Sequence, residues 1–179
     1  MTRVLAALVL AAAGCISAPA ALAQSSNRIS GIVVDSGPPP AVQSSYPAPG
    51  AKVPAGVMIL KIVFDKPMTP DAWAYGPLAG ADYPDCLAHP RLLADQRTFV
   101  LLCTVPTSHA FALQINAVSR FATDYGRPAA PYTLKFSTSD DVTEYLDDAL
   151  MQAGLTHADD PIMSPQAAAQ GVSQTAPPP

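Results

Sequence analysis

Apolar and polar residues alternate along several short segments of this chain. The strongest is Val57–Phe64, where Val, Ile and Phe recur at alternate positions before the run stops at Asp65. Phe111–Ala117 and Tyr132–Ser137 alternate as well, which is typical of strands with one face in the core and one in water. Thr98–Val105 is apolar along most of its length, which predicts a strand that is buried on both faces for part of its length. These short strands, separated by Gly and Pro, predict an all-β sandwich.

The period of the pattern changes after Thr138. Residues 139–154 carry apolar side chains at helical steps and are rich in Asp and Glu, which predicts a short, acidic, amphipathic α-helix. Ser139 or Thr138 can cap its start, and Gly154 can end it. A helix this short needs a surface to lie on, so it either folds back on its own sandwich or docks in a groove of a partner. Its apolar face consists of Val142, Tyr145, Leu146, Ala149, Leu150 and Ala153.

Both ends of the chain differ from the sandwich. Residues 1–23 combine Arg3, an apolar run and a small-residue site at Ala21-Leu22-Ala23, which predicts a signal peptide cleaved before Gln24. Alternatively, Ala12-Ala13-Gly14-Cys15 resembles a bacterial lipobox, in which Cys15 would carry a lipid anchor. Residues 24–40 are expected to form a flexible leader, with strand character at 29–35, and residues 155–179 a disordered tail rich in Pro, Ala and Gln. The mature chain has no further apolar segment long enough to span a membrane.

The charge balance narrows the choice of partner. The chain has 10 Lys and Arg against 14 Asp and Glu, for a formal net charge of −4. A chain this acidic lacks the basic footprint that phosphate backbones require, which disfavours nucleic acid as a partner.

Five short motifs follow one another between residues 41 and 138: PAPGAKVP (47–54), IVFDKPM (62–68), RTFVL (97–101), TDYGRP (123–128) and YTLKFST (132–138). As a set, and in this order, they resemble the bacterial Ig-like domain of the S-layer SbsA type. The resemblance implies a seven-stranded-type, Ig-like antiparallel β-sandwich that serves as a spacer or binding module, and it implies no catalytic residues.

Two cysteines remain after the predicted signal peptide, Cys86 and Cys103. An even number of cysteines in an exported chain favours a disulfide, although two buried thiols would also fit the pattern. A hairpin about Asp95-Gln96 would place Cys103 opposite Ala88, with Cys86 one diagonal step away. A bulge would then be needed to close the bridge.

The loop-rich segment between the strongest strands holds three aromatic residues, Trp73, Tyr75 and Tyr83. They form either an exposed recognition patch or, with Trp73, a plug at the end of the sandwich. The second candidate surface for a partner is the helix, through Val142, Tyr145, Leu146 and Leu150.

Metal binding is the alternative function. Met58, Met68 and His89 offer soft and imidazole ligands suited to copper, and part of the chain is similar to copper-resistance C-type periplasmic proteins. Loop carboxylates offer a calcium site, although they lack the regular spacing of a calcium-binding loop. These carboxylates are Asp65, Asp71, Asp82 and Asp85.

Catalytic motifs are missing from the sequence: it has no Gly-x-Ser-x-Gly, no phosphate-binding glycine loop and no helical His pair. We therefore expect no enzyme activity and no cofactor. The sequence predicts an exported, non-enzymatic Ig-like binding or scaffolding module of the bacterial cell envelope, periplasmic or secreted. Its partner would be an unknown envelope or extracellular protein. A membrane-anchored lipoprotein is the alternative location.

Overall fold

A computed structural model describes residues 37–118 and 120–162. The predicted signal peptide, the lipidation candidate Cys15, the strand at 29–35 and the last 17 residues of the predicted tail lie outside the described residues.

The described residues confirm the all-β class with one short helix. The helix is α1, Leu146–Gln152, and a single 3-10 turn follows at His157–Asp159. The eight strands are β1 (Val42–Tyr46), β2 (Lys52–Phe64), β3 (Tyr75–Pro77), β4 (Asp85–Cys86), β5 (Arg91–Leu92), β6 (Thr98–Val105), β7 (Ala110–Ile115) and β8 (Tyr132–Thr143).

The strands form one curled sheet in the order β3-β7-β8-β2-β6-β4, with β1 also paired to β2 and β5 to β6. The long strand β2 is central: one edge pairs with β6 from Gly56 to Val63. Its other edge pairs first with β8 and then, near Phe64, with β1. The β2–β8 pair is parallel, which differs from the purely antiparallel arrangement expected from the sequence. The sheet is therefore mixed.

The main core lies on one face of β2 and β6. Alternate residues of β2, from Met58 to Phe64, point into it, together with alternate residues of β6 from Phe99 to Val105. The rings of Phe64, Phe99 and Phe121 meet in its centre, with centroids 5.0–6.1 Å apart. Burial of each of these rings contributes about 2–3 kcal/mol to the stability of the fold.

The opposite face of β2 and β6 has a core of its own. Ile59 and Val100 are fully buried there because α1 covers them with Ala149, Leu150 and Ala153. This second core explains why both strands are apolar on both faces.

The helix begins later than the sequence predicts. Residues 139–143 continue β8, because Val142 and Thr143 pair with Ala55 and Gly56 of β2. The helix starts at Leu146 with Tyr145 as N-cap, and no side chain caps it. The predicted caps are engaged elsewhere: the Thr138 hydroxyl, for example, donates to the carbonyl of Pro106 at 2.6 Å. Long-range pairing, which local spacing cannot reveal, decides this boundary.

The predicted disulfide joins Cys86 to Cys103. The hairpin register places Arg91 opposite Val100, so that Ala88 would face Cys103 if the register continued. Instead, Cys86 is directly opposite Cys103, with Cα atoms 3.9 Å apart. The register thus changes by two residues between β4 and β5, and this irregularity closes the bridge.

We predict that reducing the disulfide lowers the free energy of unfolding by about 3 kcal/mol, because the crosslink between Cys86 and Cys103 restricts the conformations of the unfolded chain. Chemical denaturation with and without reductant measures the change. A Cys86→Ala/Cys103→Ala variant is the control, and its stability should not respond to reductant. An equal midpoint for the oxidised and reduced wild-type protein would contradict the prediction.

Gly56 lies where β2 and the end of β8 come closest. Its φ is +85°, and a Cβ atom added there would overlap the carbonyl oxygen of Thr143. Backbone atoms cannot move aside as a flexible side chain can. A side chain at this position would therefore push away the strand end that leads into α1.

We expect Gly56→Ala to destabilise the fold by about 3 kcal/mol, which combines the strain of a positive φ with the backbone clash. Gly80→Ala is the matched control: its φ is +76°, but the added Cβ would have no neighbour within 4 Å. Its cost should be about 1 kcal/mol. Equal losses for the two variants, measured by urea denaturation, would show that the approach to Thr143 has no energetic consequence.

Candidate functional site

The three aromatic residues of the loop-rich segment all pack against the main core. Trp73, Tyr75 and Tyr83 are partly buried and pack against the main core. The ring of Tyr75 meets Phe121 edge-on at 5.1 Å, and the ring of Trp73 meets His89 at 5.4 Å. The arrangement favours the plug interpretation over an exposed recognition patch.

The hydroxyl group of Tyr75 is the least satisfied polar group of this cluster. Its oxygen is buried and has no hydrogen-bond partner among the described residues. Burial, and to a smaller extent the phenol of Tyr83, raises the pKa of Tyr75 far above its usual value. The phenol is therefore neutral at any physiological pH, and its ring contributes to packing while its oxygen costs free energy.

The candidate copper ligands do not form an open site. Met58 and Met68 are both 2% exposed and belong to the main core, whereas the exposed His89 packs on Trp73. Both methionines fill space between aromatic and aliphatic side chains, a common role for this residue.

The candidate calcium ligands do not converge on a common site either, and two of them bind other groups. Asp65 accepts a hydrogen bond from the backbone N–H of Ala41 at 2.8 Å, and Asp82 pairs with His109. Within residues 37–118 and 120–162, no three His, Cys, Asp or Glu side chains come close enough to hold a metal ion.

The Asp82–His109 pair is a polar feature that the sequence did not reveal. The Nε2 atom of His109 lies 2.7 Å from a carboxylate oxygen of Asp82, and the two side chains are 41% and 69% exposed, respectively. A β-bridge between Asp82 and Phe111 brings the two together, although they are 27 residues apart. No local motif signals such a pairing.

Two open grooves flank this pair. The larger, of about 500 Å³, is lined by residues 78–82 and 110–112 with Lys135 and Phe136. The smaller, of about 280 Å³, contains His109 beside Lys52 and Ser108. The hydroxyl of Ser108 donates to Asp140 at 2.6 Å, so its hydrogen bond is directed to a carboxylate and not to the imidazole. Ser108 therefore lacks the contact with an imidazole that would activate it as a nucleophile. The Asp82–His109 pair resembles a surface ion pair.

The four apolar residues proposed for the helix divide into two groups. Val142 and Tyr145 are 57% and 68% exposed, as expected for residues that could meet a partner. Leu146 is partly buried and Leu150 is only 2% exposed, because both pack in the second core. The helix therefore folds back on its own sandwich, and Leu150 is not accessible to a partner.

Met151 joins the exposed group, with 67% of its surface in water. We call the exposed residues of this region the C-terminal surface: Val142, Glu144, Tyr145, Asp147, Asp148 and Met151.

Four polar contacts hold α1 and the 3-10 turn that follows it against the sandwich. The amine of Lys61 donates to the carbonyl of Ala153 at the end of α1, where a cation complements the helix dipole. Burial lowers the pKa of Lys61, and the charge of Asp159 opposes that shift. The remaining contacts are Tyr46 to Gln152 at 3.2 Å, Gln152 to Thr143 at 2.9 Å, and Arg91 to the carbonyl of Asp160 at 2.6 Å.

A groove of about 440 Å³ adjoins the C-terminal surface between α1 and the 3-10 turn. Met151 and Leu155 line its apolar part, above the buried Leu150. Asp147 and His157 stand at its polar part, with 3.4 Å between the carboxylate and the imidazole. Among the described residues, no helix is long and apolar enough to cross a membrane.

Comparisons with known proteins add little to this picture. No family model matches the chain, and no curated protein matches its sequence. One solved structure that is similar to part of the chain is that of surface layer protein SbsC, domains 1–6. The two share 16% identity and a TM-score of 0.39, over 57% of this chain and 14% of that protein. A likeness this distant carries no functional argument, and the relation to the SbsA-type family stays a prediction.

We predict that Tyr75→Phe leaves the free energy of unfolding unchanged or raises it by up to about 1 kcal/mol, because it removes a buried hydroxyl without a partner and keeps the ring. Tyr75→Ala, the comparison variant, should lose about 3 kcal/mol or more with the ring packing. Thermal and urea unfolding measure both. A loss of about 2 kcal/mol in Tyr75→Phe would mean that the hydroxyl makes a stabilising hydrogen bond.

Proposed function

We propose that this protein is an exported, non-enzymatic binding or scaffolding module of the bacterial cell envelope, located in the periplasm or outside the cell. Its partner is an envelope or extracellular protein, and the C-terminal surface makes the contact.

The disulfide supports export. Cys86 and Cys103 are bonded across neighbouring strands, and such bonds persist in oxidising compartments and are rare in the cytosol. The signal peptide predicted for residues 1–23 agrees with this compartment.

The exposed apolar side chains of the C-terminal surface carry the proposal for binding. Val142, Tyr145 and Met151 lie within ten residues of one another and are each more than half exposed. Exposed apolar side chains grouped in one short segment are candidates for a contact site, and Tyr and Met are enriched at the centres of interfaces. The polar contacts of Lys61 and Gln152 hold this segment in place, so binding requires little ordering.

Site-specific photocrosslinking in cells that express the full chain tests this function. A photoreactive benzoylphenylalanine replaces either Tyr145 or Tyr125, which are 68% and 72% exposed and therefore equally available to a passing protein. We expect discrete adducts from position 145, at one mass, and none from position 125. Mass spectrometry of the adduct then identifies the partner.

Two results would contradict the proposal. Adducts from position 125 alone would move the contact to the turn at residues 123–126. Equal, diffuse labelling from both positions would indicate random collision and no binding surface. Cell fractionation with thiol alkylation tests the location, because free thiols at Cys86 and Cys103 in a cytosolic fraction would exclude export.

A further inference from the structure

The acidic residues of this chain are concentrated at its C-terminal part. No Lys or Arg follows Lys135, and seven of the 14 acidic residues fall within residues 140–160. These seven are Asp140, Asp141, Glu144, Asp147, Asp148, Asp159 and Asp160.

Within residues 37–118 and 120–162, no Lys or Arg forms an ion pair with these seven carboxylates, although Lys61 senses the charge of Asp159. Among the described residues, the ion pairs are those of His109 with Asp82 and His157 with Asp147, and neither involves Lys or Arg. Asp140 and Asp141 accept hydrogen bonds from Ser108 and Ser139, which leaves their charge in place. The segment around Val142 and Tyr145 therefore carries an excess of negative charge.

The acidic residues alternate with the exposed apolar ones. Glu144 precedes Tyr145, Asp141 precedes Val142, and Asp148 lies one turn from Met151 on α1. A partner that covers Met151 comes close to Asp148, and one that covers the whole segment also approaches Asp141 and Glu144. Desolvating a carboxylate without a counter-charge is costly, so the partner must supply Lys or Arg around an apolar centre.

We propose that the C-terminal surface binds a basic segment of another protein, in which apolar side chains are flanked by Lys or Arg. This inference rests on the proposed function and names the chemistry of the partner. The groove beside Met151 and Leu155 offers room for one large apolar side chain. Asp147 at the same groove pairs only with an exposed imidazole, which a Lys or Arg of the partner can replace.

A second copy of this chain fits the surface less well. Residues 37–139 hold eight Lys and Arg against six Asp, so their charge is close to balanced. Three of these cations are already engaged with backbone carbonyls, through Lys61, Lys66 and Arg91. Like charge also repels anionic lipid surfaces and nucleic acids from residues 140–160. A separate basic protein is the occupant that the charges favour.

Peptide binding to the full chain tests the proposal. The probe is a synthetic amphipathic helical peptide with a Leu face and a Lys face, and its comparison is the same peptide with Glu in place of Lys. We expect the Leu/Lys peptide to bind, measured by fluorescence anisotropy, and the Leu/Glu peptide not to bind. Raising the salt from about 0.05 to about 0.5 M should weaken binding several-fold, because the attraction is screened.

Matched charge reversals locate the site. We expect the affinity for the Leu/Lys peptide to fall by about tenfold or more in the variant Asp141→Lys/Glu144→Lys/Asp148→Lys. Asp71→Lys/Asp85→Lys/Asp124→Lys changes the net charge equally at three exposed positions elsewhere, and it should weaken binding by less than about threefold. Tyr145→Ser/Met151→Ser should reduce binding even at high salt, since it removes the apolar contact.

Each other outcome overturns the inference in a recognisable way. Equal effects of the two triple reversals would mean that only net charge attracts the peptide. Binding of the Leu/Glu peptide would exclude a basic partner. Self-association in sedimentation velocity that the first reversal abolishes would identify a second copy as the occupant. Crosslinks from position 145 that neither triple reversal alters would support the proposed function. They would contradict only the inference that the partner is basic.

Discussion

The need to cover the central strand β2 on every side determines the rest of this structure. One edge of β2 is taken by β6, and the other edge is shared between β8 and β1. One face lies in the main core and the other under α1, so Ile59 and Leu60, neighbours in sequence that point in opposite directions, are both 0% exposed. Exposing a strand that is apolar on both faces to water is unfavourable, and the neighbours of β2 exclude water from both of its faces.

This constraint explains why the chain has a helix at all. A helix of seven residues is not stable alone in water, and α1 forms because it buries Ala149, Leu150 and Ala153 on the outer face of β2 and β6. The parallel pairing of β8 with β2 delivers the chain to that face, and Gly56 permits the close approach. Lys61 on β2 then holds the far end of the helix. The position of the C-terminal surface is thus a consequence of how β2 is covered.

The sequence predicts those parts of the fold that depend on local alternation. The strands β2, β6, β7 and β8 follow from it, and the Cys86–Cys103 bond follows from the cysteine count with a register change added. The start of the helix could not be predicted, because residues 139–143 satisfy the helical spacing and yet continue β8, where Val142 and Thr143 pair with residues of β2 more than 80 positions earlier in the chain. The Asp82–His109 pair depends in the same way on a long-range bridge. Aromatic residues illustrate the limit best: Tyr75 and Tyr145 look alike in sequence, but only packing decides which one is buried.

The two faces of the C-terminal segment separate the residues that stabilise the fold from those that we propose for binding. Its inward residues, such as Leu150, close the second core, whereas Tyr145 and Met151 face water. Polar substitutions at the outward positions therefore delete exposed apolar side chains without opening a cavity. They should leave the fold intact. An apolar surface that the fold does not need, placed within the most acidic part of the chain, carries a cost in solubility. A binding role accounts for that cost, whereas the packing of this protein does not.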